Sequence, residues 1–288
     1  MFEADNMIAE MVRQDARKPA LLYHYCKKES AQYLMGYGAD ISARSILMSP
    51  NDKQEYRTGI NLFIRYIKTH RLLSQNVCTI LAKKLSDNLS FAEDRKGSII
   101  PFAFCFTTLF NSPYHWHEFV GDGGGFCLAF SRVGLEDMIA KVVQSGKVSL
   151  RLERCLYVGY DDLAIDSMCA AICKDRRCDF VKLEQSNGDD AKAGIRIMSQ
   201  VCMFASSIKC GNYYPEQEWR LIMASPNSKE ANENGYLATG IKEHCPHKDI
   251  LSIMRGVISS PTGNHLDEQK CLLDLLNSRN GMPFVDDE

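Results

Sequence analysis

Two long helical stretches set among short apolar strands restrict most strongly what this 288-residue chain can fold into. In both stretches apolar residues recur at the three-to-four-residue spacing of a helix, as in Tyr56, Ile60, Phe63 and again in Ile197, Val201, Phe204. Between them lie short apolar runs such as Phe126–Phe130, which follow glycines and are typical of buried strands. Strands separated by helices of uneven length predict an α+β fold.

The pattern predicts a single domain, with helical insertions at about residues 52–92 and 160–208. The strands of the core would then occupy about residues 20–50, 97–158 and 210–262. The smaller predicted elements are a helix over 2–17, a short strand at Ser45–Met48, a turn at Ser49–Asp52 and a last helix at about 266–278.

Composition excludes several classes of function. The formal net charge of −2 gives no basic excess for nucleic acid, and no apolar run approaches the length of a membrane span. The first residues do not have the pattern of a secretory signal, so we expect a cytoplasmic protein. Its twelve cysteines are scattered along the chain, and we expect them to be free thiols.

The segment Tyr214–Arg220 carries the clearest chemistry. It precedes the apolar run Leu221–Met223, which is typical of a strand, and side chains two apart in a strand share a face. Glu216 and Glu218 would therefore lie on one face, about 6.5–7 Å apart, together with Arg220. Two carboxylates this close raise the pKa of one of them, an arrangement suited to acid–base catalysis or to stabilising a cationic transition state. The alternative is an edge strand with a solvated face.

Other candidate motifs are weaker. The glycine run Gly121–Gly125 lacks the Lys-Ser/Thr of a phosphate-binding loop and is followed by a strand, so it predicts a turn. Cys169, Cys173 and Cys178 do not have the paired spacing of a zinc site, and we expect no metal. Metal-dependent hydrolysis by His115, His117 and the carboxylates is the least favoured chemistry.

Four segments occur in a recognisable order: Leu22–Tyr25, Pro50–Asp52, the Phe104–Thr107 strand with the following His115–Phe119, and Tyr214–Arg220. Together they resemble the bacterial family known as domain of unknown function 2971. In that family an N-terminal Tyr-His-Tyr strand, an Asn-Asp turn, a Cys-Phe-Ser-like strand with a following Trp, and a Glu-x-Glu-Trp/Tyr-Arg strand recur. The resemblance covers about residues 21–260, with Lys53 standing where the family usually has Pro.

The motif order is similar, more distantly, to that of the ADP-ribosyltransferase fold. This second resemblance implies a mixed, mostly antiparallel β core that binds NAD. It implies that Glu218 is the catalytic carboxylate and that Glu216 is its Glu-x-Glu partner, which takes a proton from the acceptor. In binding the cofactor, His24 would hold the ribose, Thr107 or Thr108 would take the second-strand position, and Tyr25 would stack on the nicotinamide ring. Arg220 would either hold a phosphate or pair with Glu218.

These resemblances predict an NAD-binding ADP-ribosyltransferase-like protein, a toxin, effector or defence component. It would cleave the nicotinamide–ribose bond and transfer ADP-ribose to an acceptor that the sequence does not identify. His24 and Glu218 would then have to face one open cleft. The alternative is a non-catalytic ligand-binding or protein-interaction module, in which Glu216, Glu218 and Arg220 form a structural salt-bridge cluster. That alternative predicts a filled cleft and exposed apolar surface elsewhere.

Overall fold

A computed structural model describes residues 18–35, 40–93, 99–144, 149–225, 236–238, 250–261, 267 and 269–274. The fold is α+β, with a mostly antiparallel sheet and helices, as the sequence predicts. The strands are β1 Leu21–Lys27, β2 Ser42–Ser45, β3 Ile100–Thr107, β4 Gly125–Ser131, β5 Ser149–Arg154, β6 Leu156–Tyr157, β7 Ile208–Lys209, β8 Glu218–Ser225, β9 Tyr236–Ala238 and β10 Met254–Ser259.

The longer helices are α1 Lys28–Met35, α2 Pro50–Thr69, α3 Gln75–Glu93, α4 Arg132–Gln144, α5 Asp162–Asp175, α6 Arg177–Gln185 and α7 Ala191–Ala205. Five of these seven, α2, α3, α5, α6 and α7, fall into the two blocks that the apolar periodicity predicts, whereas α1 and α4 lie outside them. Short helical turns lie at Ile46–Met48, Pro113–Val120, Gly211–Glu216 and Ile250–Ile253. In the part of the chain that the structure describes, no helix is both long and apolar enough to cross a bilayer.

The contacts divide the chain into two compact units, each assembled from separate stretches of sequence. The smaller unit holds Met1–Ala39, Phe106–Met138 and Cys245–Glu288, and the larger unit holds Asp40–Cys105 and Ile139–His244. Both helical blocks lie in the larger unit.

Three antiparallel strands form the centre of the smaller unit. β4 pairs with β1 along its whole length, with Tyr25 opposite Cys127, and on its other side with β10. At the first residue of β4 the chain requires glycine, because a Cβ on Gly125 would stand 2.3 Å from the Cys26 carbonyl oxygen. The end of β3 joins this group through the pairing of Tyr23 with Thr107.

The larger unit is built on β8, which pairs with β5 in antiparallel register and also with β3. β2 pairs with β3 and β9, and the short β6 and β7 are parallel. The helices of both blocks pack in one apolar core, in which the Phe63 and Phe204 rings lie 6.4 Å apart and Tyr56 donates to the Cys202 sulfur.

The start of α2 places two acidic residues. Ser49 has extended dihedral angles and its hydroxyl accepts from the Asp52 backbone N–H at 3.4 Å, while Pro50 occupies the first helical position. Ser49–Asp52, predicted as a turn, is therefore a helix N-terminus. Asp52 and Glu55, three residues apart, share one face of its first turns.

Several local predictions can be compared with this structure. The strands predicted at Phe104–Thr107 and Phe126–Phe130 are confirmed as parts of β3 and β4. The strand predicted at Ser45–Met48 is wrong: strand pairing ends at Ser45, and Ile46–Met48 form a 3₁₀ turn that leads to Ser49. The helix predicted over 2–17 lies outside the described residues; of the last predicted helix, residues 267 and 269–274 are described and are helical.

Candidate functional site

Six charged side chains meet in the larger unit around the first residues of β8. We call this group the ionic cluster; it consists of Asp52, Glu55, Lys209, Glu216, Glu218 and Arg220. Five of the six are buried, and the Asp52 side chain is 34% exposed. Buried charges require partners, so the contacts of each member determine what the cluster can do.

Glu216 and Glu218 reach the cluster by a route that strand alternation does not predict. Glu216 is the last residue of the 3₁₀ turn Gly211–Glu216, and Gln217 has left-handed dihedral angles, with φ 45° and ψ 46°. Only Glu218 belongs to β8, so the prediction that both lie on one strand face is wrong for Glu216. The two carboxylates are brought together by a cation instead, because the Lys209 ammonium donates to both.

Both carboxylate oxygens and both backbone polar groups of Glu218 form hydrogen bonds. Its Oε1 accepts from Arg220 Nε at 2.7 Å, and its Oε2 accepts from Lys209 Nζ at 2.5 Å. Its backbone N–H donates to the Tyr157 hydroxyl at 2.8 Å, and its carbonyl accepts from the Cys155 N–H at 2.9 Å. With 6% of its surface exposed, Glu218 is a buried carboxylate between two cations.

Arg220 joins the cluster to α2 and to Ser206, the residue that follows α7. Besides Glu218, its guanidinium donates to the Ser206 carbonyl at 2.8 Å and to Asp52 Oδ1 at 2.7 Å. Strand alternation correctly predicts Arg220 on the face of Glu218 and allows two roles, an ion pair or a phosphate ligand. The structure shows the ion pair.

Glu55 is the least satisfied member of the cluster. Its Oε1 accepts from the Cys210 backbone N–H at 3.1 Å, whereas its Oε2 has no hydrogen-bond partner among the described residues and lies 3.7 Å from Arg220 Nη2. The Lys209 ammonium, in turn, stands 5.0 Å from the centre of the Tyr213 ring, a cation–π arrangement.

The pKa values of the three glutamates move in opposite directions. Burial by itself would raise the pKa of Glu218, but Arg220 and Lys209 outweigh it and hold that pKa well below its usual range. Burial raises the pKa of Glu216 against the opposing effect of Lys209, and the charge of Glu218 adds to the rise. Burial also raises the pKa of Glu55. The cluster contains four carboxylates and two cations, so it carries excess negative charge when all of them are ionised. Protonation of Glu216 or Glu55 reduces this excess.

The residues predicted to bind the cofactor lie mostly in the smaller unit. His24 is half-buried on β1 opposite Leu128, with its ring 6.3 Å from the Phe106 ring. Thr107 is buried and its hydroxyl accepts from the Leu109 N–H at 3.1 Å, and Thr108 follows the end of β3. The meeting of His24 with Glu218, which belongs to the larger unit, stays a prediction.

Tyr25 forms part of the core of the smaller unit. It is 7% exposed, and its ring lies 4.8 Å from the Trp116 ring and 5.1 Å from the His115 ring. Its hydroxyl donates to the Leu109 carbonyl at 3.0 Å and accepts from the Ser112 N–H at 2.7 Å. In this arrangement Tyr25 fixes the loop after β3, and its stacking on nicotinamide stays a prediction.

The two candidate metal-ligating histidines are placed differently. His115 is buried beside Tyr25, with Nδ1 2.9 Å from the Ser112 hydroxyl, whereas His117 is exposed and contacts Glu118 at 3.1 Å. Within the described ranges, no group of three or more His, Cys, Asp or Glu side chains is arranged to hold a metal ion.

The motif-bearing segments described in the sequence analysis come together in two groups. Leu22–Tyr25 meets His115–Phe119 in the smaller unit, and Pro50–Asp52 meets Tyr214–Arg220 in the larger unit. The Cys105 thiol of the remaining strand contacts the Glu218 carboxylate. Sequence reasoning did not assign Lys209 or Glu55 to the site, although Glu55 has the i,i+3 spacing from Asp52 that places both on one helix face.

The chain matches no protein-family model, no curated protein and no solved structure.

Proposed function

We propose that the chain is a ligand-binding or protein-interaction module, in which the ionic cluster holds β7, β8 and α2 together. The observation that carries this proposal is the Glu218 carboxylate, which is 6% exposed and has both oxygens engaged by Lys209 and Arg220. A carboxylate that stabilises a ribosyl cation must face the sugar. In this structure both carboxylate oxygens instead face an ammonium and a guanidinium.

Exposed apolar side chains give such a module surfaces for binding. In the larger unit, Tyr160 and Tyr214 are 65% and 39% exposed and stack at 4.6 Å, beside the start of α5, where Leu163 is 82% exposed. In the smaller unit, Phe110 and Phe119 are 58% and 46% exposed. Exposed aromatic groups of this kind are typical of binding surfaces.

The test measures NAD cleavage and stability on the same proteins. We expect the wild-type chain to release no nicotinamide from NAD and to show no heat of NAD binding by calorimetry. We also expect Glu218→Gln to lower the free energy of unfolding by about 3–5 kcal/mol, because it leaves Lys209 and Arg220 undercompensated in a buried site. Glu136→Gln, which removes a surface partner of Arg132, is the matched control and should cost less than about 1 kcal/mol.

A specific observation also favours a second candidate, the NAD-cleaving ADP-ribosyltransferase-like enzyme. The pKa of Glu218 is lowered and that of Glu216 is raised, which suits an ionised carboxylate that stabilises a cationic sugar and a neighbouring base that takes a proton. In this mechanism one oxygen of Glu218 leaves Lys209 or Arg220 and accepts from the ribose. NAD is the substrate, and the acceptor is a nucleophile whose proton passes to Glu216.

The same assay separates the two candidates. Release of nicotinamide by the wild-type chain, abolished in Glu218→Gln and kept in Glu136→Gln, would establish the enzyme and overturn the module. Because the first measurement is made on the wild-type chain, the decision does not depend on whether Glu218→Gln folds. If Glu216→Gln keeps full nicotinamide release, the base assigned to the second candidate is wrong.

A further inference from the structure

We propose that a groove along α6 binds a small amphiphile, a molecule with an apolar chain and one anionic head group. The groove has a volume of about 470 Å³, within the range of roughly 300–1,000 Å³ that is usual for small-molecule sites. The inference names a ligand class for the ligand-binding function proposed above and rests on it. The site is separate from the ionic cluster.

One face of α6 forms the floor of the groove. Arg177, Phe180, Val181 and Glu184 all line it, and their spacing of three, four and seven residues places them on the same side of the helix. The face runs from Arg177 to Gln185, which at the usual rise per residue is about 12 Å. That length suits a medium-length acyl chain and is short for a partner helix of several turns.

The walls of the groove are apolar and partly uncovered. Leu72, which follows α2, is 42% exposed, Val181 is 47% exposed, and Phe180 is buried beneath them. Covering apolar surface of this kind contributes about 25 cal/mol for each Å² removed from water. An alkyl chain lying against Phe180 and Val181 would gain that contribution.

The charges at the two ends of the groove determine which end holds the ligand's head group. Lys174, in the last turn of α5, and Arg177, the first residue of α6, are exposed, and neither forms an ion pair with any residue that the structure describes. At the far end, the Glu184 carboxylate accepts from the Ser74 N–H at 3.1 Å and would repel an anion. The anionic head therefore belongs at Lys174 and Arg177.

The test uses dodecanoate with the full chain, below its micelle concentration, measured by calorimetry and by displacement of the fluorescent probe 1-anilinonaphthalene-8-sulfonate. We expect one dodecanoate per chain. The double variant Lys174→Gln/Arg177→Gln should bind at least about tenfold more weakly, because two charge-assisted contacts are lost. Val181→Glu should abolish binding by placing a charge in the apolar wall.

Matched controls decide the specificity. Lys182→Gln/Lys192→Gln removes the same charge from exposed lysines outside the groove and should change the affinity less than about twofold. Dodecyltrimethylammonium, with the same tail and a cationic head, should not bind. The inference is overturned if the cationic amphiphile binds equally well, if both double variants weaken binding equally, or if Val181→Glu binds dodecanoate normally. It is also overturned if the chain dimerises and Val181→Glu makes it monomeric, because the groove is then an interface between copies.

The failure of this inference and that of the proposed function are distinct results. Nicotinamide release that depends on Glu218 would remove the proposed module, whereas lack of dodecanoate binding would remove only the groove's ligand. The groove variants leave all six residues of the ionic cluster unchanged.

Discussion

Glu216 and Glu218 carry the same side chain, and only their neighbours make them differ. Glu218 lies between Lys209 and Arg220, which stabilise its ionised form, whereas Glu216 has Lys209 on one side and the Glu218 charge on the other. Burial is the main cause of the raised pKa of Glu216, and the Glu218 charge adds to it, as like charges held close together do. The sequence does not predict which of the two pKa values rises, because burial and the position of Lys209 are set by other parts of the chain.

The pKa of Glu55 gives a pH-dependent prediction. Its folded-state pKa is raised above the unfolded value, so the native state holds more protons than the unfolded chain between those two values, and stability falls as the pH rises through this window. Glu55→Gln keeps the uncharged form at every pH. We therefore expect the stability of Glu55→Gln relative to wild type to improve as the pH rises above about 4.5, the ordinary carboxyl value.

Urea unfolding of both proteins across that pH range measures the effect. Glu136→Gln, on the surface, serves as the control for the general loss of one negative charge. The raised pKa of Glu55 would be contradicted if the stability of Glu55→Gln relative to wild type stayed constant, or fell, as the pH rises. Glu218, with its lowered pKa, has the opposite sign: its contribution is present above the unfolded pKa and is lost as the pH falls towards the folded value.

At the scale of elements, capping residues explain where α2 begins, and a glycine at a helix crossing explains how closely it packs on α7. The Ser49-Pro50 pair begins α2 because serine caps a free N–H and proline tolerates the first helical position, although the same residues are also typical of turns. Gly59 lies in the interior of α2, where it faces α7. A Cβ there would stand 2.6 Å from the Ala205 Cα, so the absence of a side chain permits the two helices to cross closely.

This contact predicts that Gly59→Ala destabilises the protein by about 1–3 kcal/mol, because overpacking at a backbone contact outweighs the better helix propensity of alanine. The matched control lies on the partner helix: a Cβ on Gly194 of α7 would meet no atom within 4 Å. Gly194→Ala should therefore stabilise by about 0.5–1 kcal/mol. Thermal or urea unfolding measures both changes, and equal effects of the two substitutions would show that the close approach at Gly59 is unimportant.

At the scale of the whole molecule, the distribution of cysteines between core and surface follows the packing. Six described cysteines are buried, four are exposed and Cys173 is intermediate; all eleven are free thiols. Burial raises the pKa of Cys26 to about 12 and that of Cys202 to about 11. Such thiols are weak nucleophiles at neutral pH, because the reactive form is the thiolate.

Thiol titration with Ellman's reagent at pH 8 should therefore show a fast phase that excludes the buried cysteines, which react only after unfolding. Part of the Cys105 surface is accessible to solvent. Desolvation by the atoms packed around its thiol, together with the Glu218 charge, nevertheless raises its pKa well above the ordinary thiol value. We expect the pKa of the Cys105 thiol, rather than its exposure, to control how fast it reacts with Ellman's reagent. Cys105→Ser should leave the amplitude of the fast phase unchanged, and Cys178→Ser should reduce it; the reverse result would mean that exposure alone sets the reactivity of Cys105.

The sequence by itself determined the α+β class, the two helical blocks and the position of Arg220 on the face of Glu218, because periodicity and strand alternation are local properties. Only the tertiary structure decided the partners of Glu218. Lys209 comes from another strand, and Asp52, which contacts the same Arg220, lies 168 positions away along the chain. Local patterns carry no information about such pairings, since they form only when the packed core brings distant backbone together and leaves buried charges no other partners.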